Sequence, residues 1–258
     1  MDPGEITRFL SGFDMGAPVR AVIAPHAGWF YSGKIAARAI ARLDRQVETL
    51  AVIGGHLPGN GRPLFAMEDA VQTPLGKMAL DAELRAAMLG ETGGREDNIP
   101  DNTVEVLLPM ARFFLPEASL LWMRLPENMS SFEAGKTLAA VAARLGRRLA
   151  VVASADLTHY GPGYGFAPAG IGPEALRWVE EVNDRRFIEA VEAGNPAEVL
   201  ERAKTEKSSC SAGAVLGAMG FAQASGMNPA KLLEYGTSAG AEKNSPKASF
   251  VGYASFTF

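Results

Sequence analysis

The chain has 258 residues, 47% of them hydrophobic, with 25 basic and 29 acidic side chains and a net charge of −4. A chain of this length and composition buries a globular core without disulfides, and its acidic balance excludes bulk electrostatic attachment to nucleic acid or anionic membranes. Its one cysteine, Cys210, rules out an intrachain disulfide and fits a reducing compartment.

The N-terminal stretch Met1-Asp2-Pro3-Gly4-Glu5 is acidic and lacks the basic-then-apolar order of a signal peptide. Nowhere do about 18 uncharged apolar residues follow one another, as a membrane span requires. The alanine-rich run from Leu138 to Ala155 is broken by Arg144, Arg147 and Arg148. A cytoplasmic protein of one domain, residues 1–258, is the expectation.

Strands and helices then alternate. Val19 to Ala24 is predicted to be a buried strand, Lys34 to Leu43 a helix on its alanine and leucine spacing, and Thr49 to Ile53 a second strand. Leu64 to Gln72 reads as a less regular strand and Asp81 to Leu89 as a helix capped by Asp81. Thr103 to Phe114 is ambiguous, because Pro109 interrupts it. Ser119 to Leu125 is a strand, Ser131 to Leu145 a helix with Ser130 or Ser131 as cap, and Arg148 to Ala153 a strand. Gly161 to Pro173 is the longest loop and a candidate lid. Helices are predicted over Glu174 to Ala193, Pro196 to Lys204 and Ser211 to Ser225, and strands over Lys231 to Tyr235 and Phe250 to Phe256. The alternation predicts an α/β fold, a central mixed sheet flanked by helices.

The three histidines occupy equivalent places. His26, His56 and His159 each follow a predicted strand, where open α/β sheets build their ligand sites. Pro25 and Gly28 put His26 on a stiff, tight turn, and Gly54-Gly55 lets the chain turn sharply at His56. Asp156 precedes His159 by three residues, so the pair shares a face if the segment is one helical turn. A carboxylate there orients an imidazole and favours its protonated form; the other reading of Asp156 is a turn or helix cap. Cys210 stands just before a helix, which suits a stabilised thiolate as well as a buried small hydrophobe. Two imidazoles and a thiolate hold a transition metal with one position open. Trp29, Tyr31, Tyr160 and Tyr164 either line that cleft or pack beside it.

Several segments together, Ala24-Pro25-His26-Ala27-Gly28-Trp29-Phe30-Tyr31-Ser32-Gly33, Gly54-Gly55-His56, Thr73-Pro74-Leu75-Gly76, Asn102 to Pro109, Ser154 to Gly161, the Cys210 segment and Val251-Gly252-Tyr253-Ala254, resemble the Memo-like family, also called AmmeMemoRadiSam system protein B. Its relatives include the class III extradiol ring-cleaving dioxygenases. The resemblance implies that fold, places His26, His56 and Cys210 at the family's metal positions, and lines the same cleft with Asp156 and His159. Cys210 stands where the dioxygenases carry a carboxylate ligand, which argues against ring cleavage. Two departures touch the site: Gly54-Gly55-His56 is one residue shorter than the family's usual turn, and Asp101-Asn102 replaces a Glu-His pair. Glu105 is retained, as a surface or capping carboxylate or as a catalytic one.

Three functions follow. One is a metal-dependent oxidoreductase using iron or copper, with His159 and Asp156 moving protons. Another is a non-catalytic protein that binds a peptide or small ligand in the same cleft. The third is a hydrolase using zinc. The resemblance also implies a link to a radical-SAM enzyme system.

Overall fold

The protein is described by a computed structural model over residues 2–13, 16–241 and 248–258; Met1, the first residue of the acidic N-terminal stretch, lies outside them. Helix α1 (Pro3–Leu10) is capped by Asp2, whose carboxylate accepts the amides of Gly4 and Glu5. Strand β1 (Ala21–Ala24) leads to helix α2 (Trp29–Ile40) and strand β2 (Thr49–Leu57). Helix α2 starts five residues before the predicted Lys34, because the Gly28 carbonyl accepts the amides of Tyr31 and Ser32 and so closes the first turn.

The expected single strand over Leu64 to Gln72 is two: β3 (Leu64–Phe65) and β4 (Ala70–Thr73), the latter forming a separate hairpin with β5 (Gly76–Ala79). Helix α3 (Ala82–Thr92) is capped by Asp81, which accepts the Leu84 amide at 3.0 Å. After β6 (Arg95–Glu96), the ambiguous stretch resolves into a 3₁₀ turn at Glu105–Leu107 and helix α4 (Leu108–Phe114), with Pro109 in the first turn, where its missing N–H costs nothing.

Strand β7 (Ser119–Pro126) precedes helix α5 (Ser130–Arg144). Neither Ser130 nor Ser131 caps α5. The Asn128 side chain accepts the Ser130 amide at 2.8 Å, while the Ser131 hydroxyl donates back to the Pro126 carbonyl. Strand β8 (Leu149–Ser154) is followed by β9 (His159–Tyr160). The predicted helix from Glu174 is α6 (Pro173–Trp178) and α7 (Asp184–Glu192), joined by a π-helical turn at Val179–Asn183. Helices α8 (Pro196–Glu206) and α9 (Ala212–Ala224), strand β10 (Lys231–Thr237), the short helix α10 (Ser238–Ala241) and strand β11 (Phe250–Thr257) complete the described chain.

Among the described residues the main sheet runs β10-β11-β1-β8-β2-β7-β3-β6, with β9 on β11. Its centre, β1-β8-β2-β7, is parallel, and β11 joins antiparallel to β1. The central strands are apolar on both faces, as helices on both sides demand. Ala21, Ile23, Leu121 and Met123 pack with α5, α7 and α9; Val22, Ala24, Leu120 and Trp122 pack with α1, α2 and α4. Helices α5 and α9 meet backbone to backbone. A Cβ on Gly135 would overlap the Gly217 carbonyl, and one on Gly220 the Phe132 carbonyl. None of the described helices is long and apolar enough to cross a membrane.

Candidate metal centre

The parallel neighbours β1, β8 and β2 bring their carboxyl ends together, since adjacent strands lie about 5 Å apart. His26 stands two residues beyond β1, His56 on the penultimate residue of β2, and His159 on β9. The short Gly54-Gly55-His56 turn reaches inward because His56 adopts φ +56°. A non-glycine residue there costs roughly 1–2 kcal/mol. The close approach of β2 to α9 requires Gly55, since any Cβ would overlap the Ser211 side chain.

One ligand atom from each of His26, His56 and Cys210 lies within 4.8 Å of the others, and the same holds for Asp156, His159 and Cys210. The His26 and His56 rings stand edge to face, 5.1 Å between centroids. Cys210 Sγ is 3.4 Å from His26 Nε2.

The imidazole tautomers follow from their partners. The Ser154 hydroxyl donates to the Thr103 carbonyl, so its oxygen accepts from His26 Nδ1 at 2.9 Å. His56 Nδ1 donates to Asp101 Oδ2 at 3.0 Å. Burial would raise the Asp101 carboxyl, but hydrogen bonds from His56 and Thr103 and the Arg124 guanidinium hold it well below the ordinary range. Arg124, almost wholly buried on β7, also pairs with Asp97 at 2.7 Å. Both histidines thereby have Nδ1 held by an outer partner, the arrangement that metal-binding imidazoles use. Burial lowers the His26 pKa, although Asp156 opposes it, so the ring is neutral at pH 7.

Segment 154–159 is extended rather than the helical turn that the spacing of Asp156 and His159 suggested. Ala155 N–H donates to the Ala24 carbonyl, Leu157 N–H to that of Gly252, and Gly252 N–H to that of Thr158, which ties the segment between β1 and β11. Asp156 nevertheless faces both rings. Its Oδ1 accepts the His26 amide at 2.8 Å, and Oδ2 lies 3.8 Å from Nε2 of His26 and of His159. It caps no helix. Burial pushes its carboxyl up, and the two imidazoles and the His26 amide pull it down further. His159 Nε2 is buried and makes no hydrogen bond to the described residues.

Cys210 does not have the stabilised thiolate of a helix N-terminus. It lies outside α9, which Ser211 caps, and burial, aided by the Asp156 charge, pushes its thiol up to about 12. Trp29 packs on Phe9 and donates to the Val106 carbonyl at 3.0 Å, and Tyr160 is buried against Phe250. Tyr164, about half exposed on the 161–173 loop, sets its ring 5.0 Å from His159. Glu105 is a surface carboxylate on the 3₁₀ turn.

Sequence reasoning missed Asp101 and Arg124 as supports of His56; an arginine inside the apolar strand Ser119 to Leu125 was the available signal, because a buried cation requires a partner. It also missed Asp184, behind His159. That carboxyl is fully buried, accepting the Thr158 amide at 3.1 Å, the Thr158 hydroxyl at 2.5 Å and the Tyr235 hydroxyl at 2.8 Å. Burial raises it to about 7 against the pull of those donors.

Comparison with known proteins agrees with this architecture. The model of the family described as Memo-like protein matches residues 5–257. A MEMO1 family protein of Methanopyrus kandleri is 29% identical over 250 residues, 92% of this chain and 82% of that protein. One from Methanothermobacter thermautotrophicus is 29% identical over 248 residues, covering 92% and 83%. The crystal structure of an uncharacterized protein from Escherichia coli K12 superimposes with a TM-score of 0.57 at 14% identity, covering 92% of this chain and 98% of that one, a likeness of fold alone.

Proposed function

From the premise that the chain belongs to the Memo-like protein family, we propose that His26, His56 and Cys210 hold a transition metal ion and that the protein is a metal-dependent oxidoreductase. The observation that carries this reading is the pair of imidazoles with Nδ1 engaged by outer partners, beside a half-buried thiol that lies 3.4 Å from His26 Nε2. His159 Nε2, buried and 3.8 Å from Asp156 Oδ2, makes no hydrogen bond to the described residues and stands beside this set. This donor set fits iron or copper, and admits zinc. Iron or copper would supply one-electron chemistry at the open position.

The chain's own residues divide the remaining work. Asp156 fixes the His26 backbone through Oδ1 and faces His159 through Oδ2. His159, about one-third exposed and 3.8 Å from Asp156, can pass a proton between solvent and a ligand in the cleft. Tyr164 covers the His159 ring. No peptide-like partner is required by this reading.

Metal analysis of the untagged protein tests it. One equivalent of iron or copper is expected. Zinc alone would favour the hydrolase, and no retained metal between pH 6 and 8 would leave the ligand-binding reading. Cys210→Ala is expected to weaken Zn²⁺ or Cu(I) far more than Mg²⁺ or Mn²⁺, since the thiolate is the soft ligand. Equal losses for hard and soft ions, measured by competition titration, would remove Cys210 from the ligand set.

Asp101→Asn is expected to lower metal affinity by about 10–100-fold, the usual worth of an outer partner to a ligating histidine. Arg124 keeps Asp97, so the fold should survive. Unchanged affinity would show that the His56–Asp101 hydrogen bond does not support ligation.

A further inference from the structure

Asn183 and Asp184 are consecutive, yet both are buried and both reach Thr158. In an α-helix neighbouring side chains diverge by about 100°. Here the π-helical turn Val179–Asn183 ends on Asn183, and Asp184 begins α7. Its i→i+5 turn is wider and aims the two side chains inward together; such turns are rare and recur at functional sites.

Between them the two residues hold every polar group of Thr158 except its carbonyl, which accepts the Gly252 amide. Asp184 accepts the Thr158 amide and hydroxyl, and the Thr158 oxygen accepts from Asn183 Nδ2 at 2.8 Å. Thr158 is the residue before His159. The other Nδ2 hydrogen goes to the carbonyl of Glu206, the last residue of α8, at 3.0 Å. A carbonyl only accepts, so the amide nitrogen of Asn183 and not its oxygen faces this pair.

Glu206 begins the approach to Cys210. The chain turns at Lys207 with φ +49°, a left-handed conformation that a residue with a Cβ keeps only where its surroundings fix it. Ser208 is buried, and then the Ser209 hydroxyl and the Cys210 amide both donate to the Asp156 carbonyl, at 3.1 and 3.2 Å. The segment carrying His159 and the segment carrying Cys210 are therefore tied twice, directly at Asp156 and through one carboxamide at Thr158 and Glu206.

We propose that Asn183 is a positioning residue of the centre: its carboxamide clamps Thr158 to Glu206 and so sets the separation of the His159 imidazole from the Cys210 thiol. A carboxamide nitrogen supplies two donors without a charge, which neither a hydroxyl nor an ammonium does. That the clamp governs metal binding rests on the metal reading above, whereas that it fixes the two segments does not.

The test uses the full chain, first stripped of metal by chelation and then titrated with Co²⁺ as the probe. In the metal-free protein the His159 ring is followed by its carbon-bound proton resonance, one of three histidine signals, assigned by His159→Ala. In the loaded protein the thiolate-to-cobalt absorption band reports the placement of Cys210. Asn183→Leu keeps the volume and removes both donors. It is expected to move the His159 signal, shift the cobalt band and weaken Co²⁺ about tenfold, the lower end of what an outer partner is worth. Asn183→Ser, which keeps one donor, should shift both in the same sense by less, and carries the test if Asn183→Leu does not fold. Thr158→Val, which exchanges the hydroxyl for a methyl, should move the His159 signal, and Thr158→Ser should restore it. Ile188→Val, a core change on the same helix, controls for mere loss of stability and should move neither signal. An unmoved His159 signal in the Asn183 variants, a Thr158→Ser signal that matches Thr158→Val, or equal shifts in Ile188→Val each overturns the proposal. A His159 signal that moves in a protein taking up no cobalt would sink only the metal reading, and cobalt bound by Asn183→Leu with wild-type affinity and band would sink only this one.

Discussion

His26→Ala is expected to empty the metal site, and His159→Ala to leave it filled while lowering turnover by roughly 10²–10⁴-fold, the scale of general acid–base catalysis. The two rings are equally near Asp156 Oδ2, at 3.8 Å each, so proximity alone does not separate them. Their other contacts do. His26 is buried and neutral, with Nδ1 engaged by Ser154 and Nε2 against Cys210. A ligand must be deprotonated to bind, and His26 is held in that form. His159 is about one-third exposed, so its ring is open to proton exchange with solvent. Loss of His26 should therefore exceed the roughly 10–100-fold that an outer partner is worth. Bound metal and turnover are measured on both variants side by side. Because Asp156, His159 and Cys210 also cluster within 4.8 Å, an empty site in His159→Ala would reassign His159 as a ligand.

The second large effect concerns pH and Asp184. Its folded-state pKa, about 7, stands above the ordinary 3.8 because burial opposes the charge. The native state then holds a proton that the unfolded chain releases. Its stabilising contribution is complete below about pH 3.8 and is lost as pH rises through about 7. A shift of about three units corresponds to about 4 kcal/mol at most. Asp184→Asn, which carries no titratable group, should be free of this loss. Urea denaturation at pH 5 and pH 8 should show the variant gaining on the wild type by up to about 2.5 kcal/mol as pH rises, the part of the shift that falls between those values. Parallel curves would mean that Asp184 is ionised throughout, held by Thr158 and Tyr235.

The fold was largely legible, because its central strands are short, doubly apolar runs that stand out from the helical spacing around them. The convergence of His26 and His56 was legible for the same reason: each closes such a run, and parallel neighbours end at one edge. What escaped depends on contacts distant in sequence. Asp101 meets His56 across 45 residues and Asp184 meets Thr158 across 26, distances at which no local periodicity speaks. The helical turn on which the pairing of Asp156 with His159 was conditional is not formed at 154–159, because hydrogen bonds to β1 and β11 outweigh the three-residue spacing of its polar groups. Cys210 was placed by resemblance, while its raised thiol pKa depends on a neighbour, Asp156, that only the folded chain brings near.

The backbone contact between α5 and α9 has a consequence for how the centre can change over time. Cys210 and Ser211 enter directly into α9, and α9 is pressed against α5 where glycines at 135 and 220 leave no side chain between the helices. A single added methyl at either position would have to push the helices apart, and the thiol would travel with α9. The ligand's place is thus specified by what is missing on the opposite side of the helix, about ten residues along. Mutational drift at this site should accordingly be constrained at Gly135 and Gly220, and, on the proposed metal reading, binding would be lost there with His26, His56 and Cys210 intact.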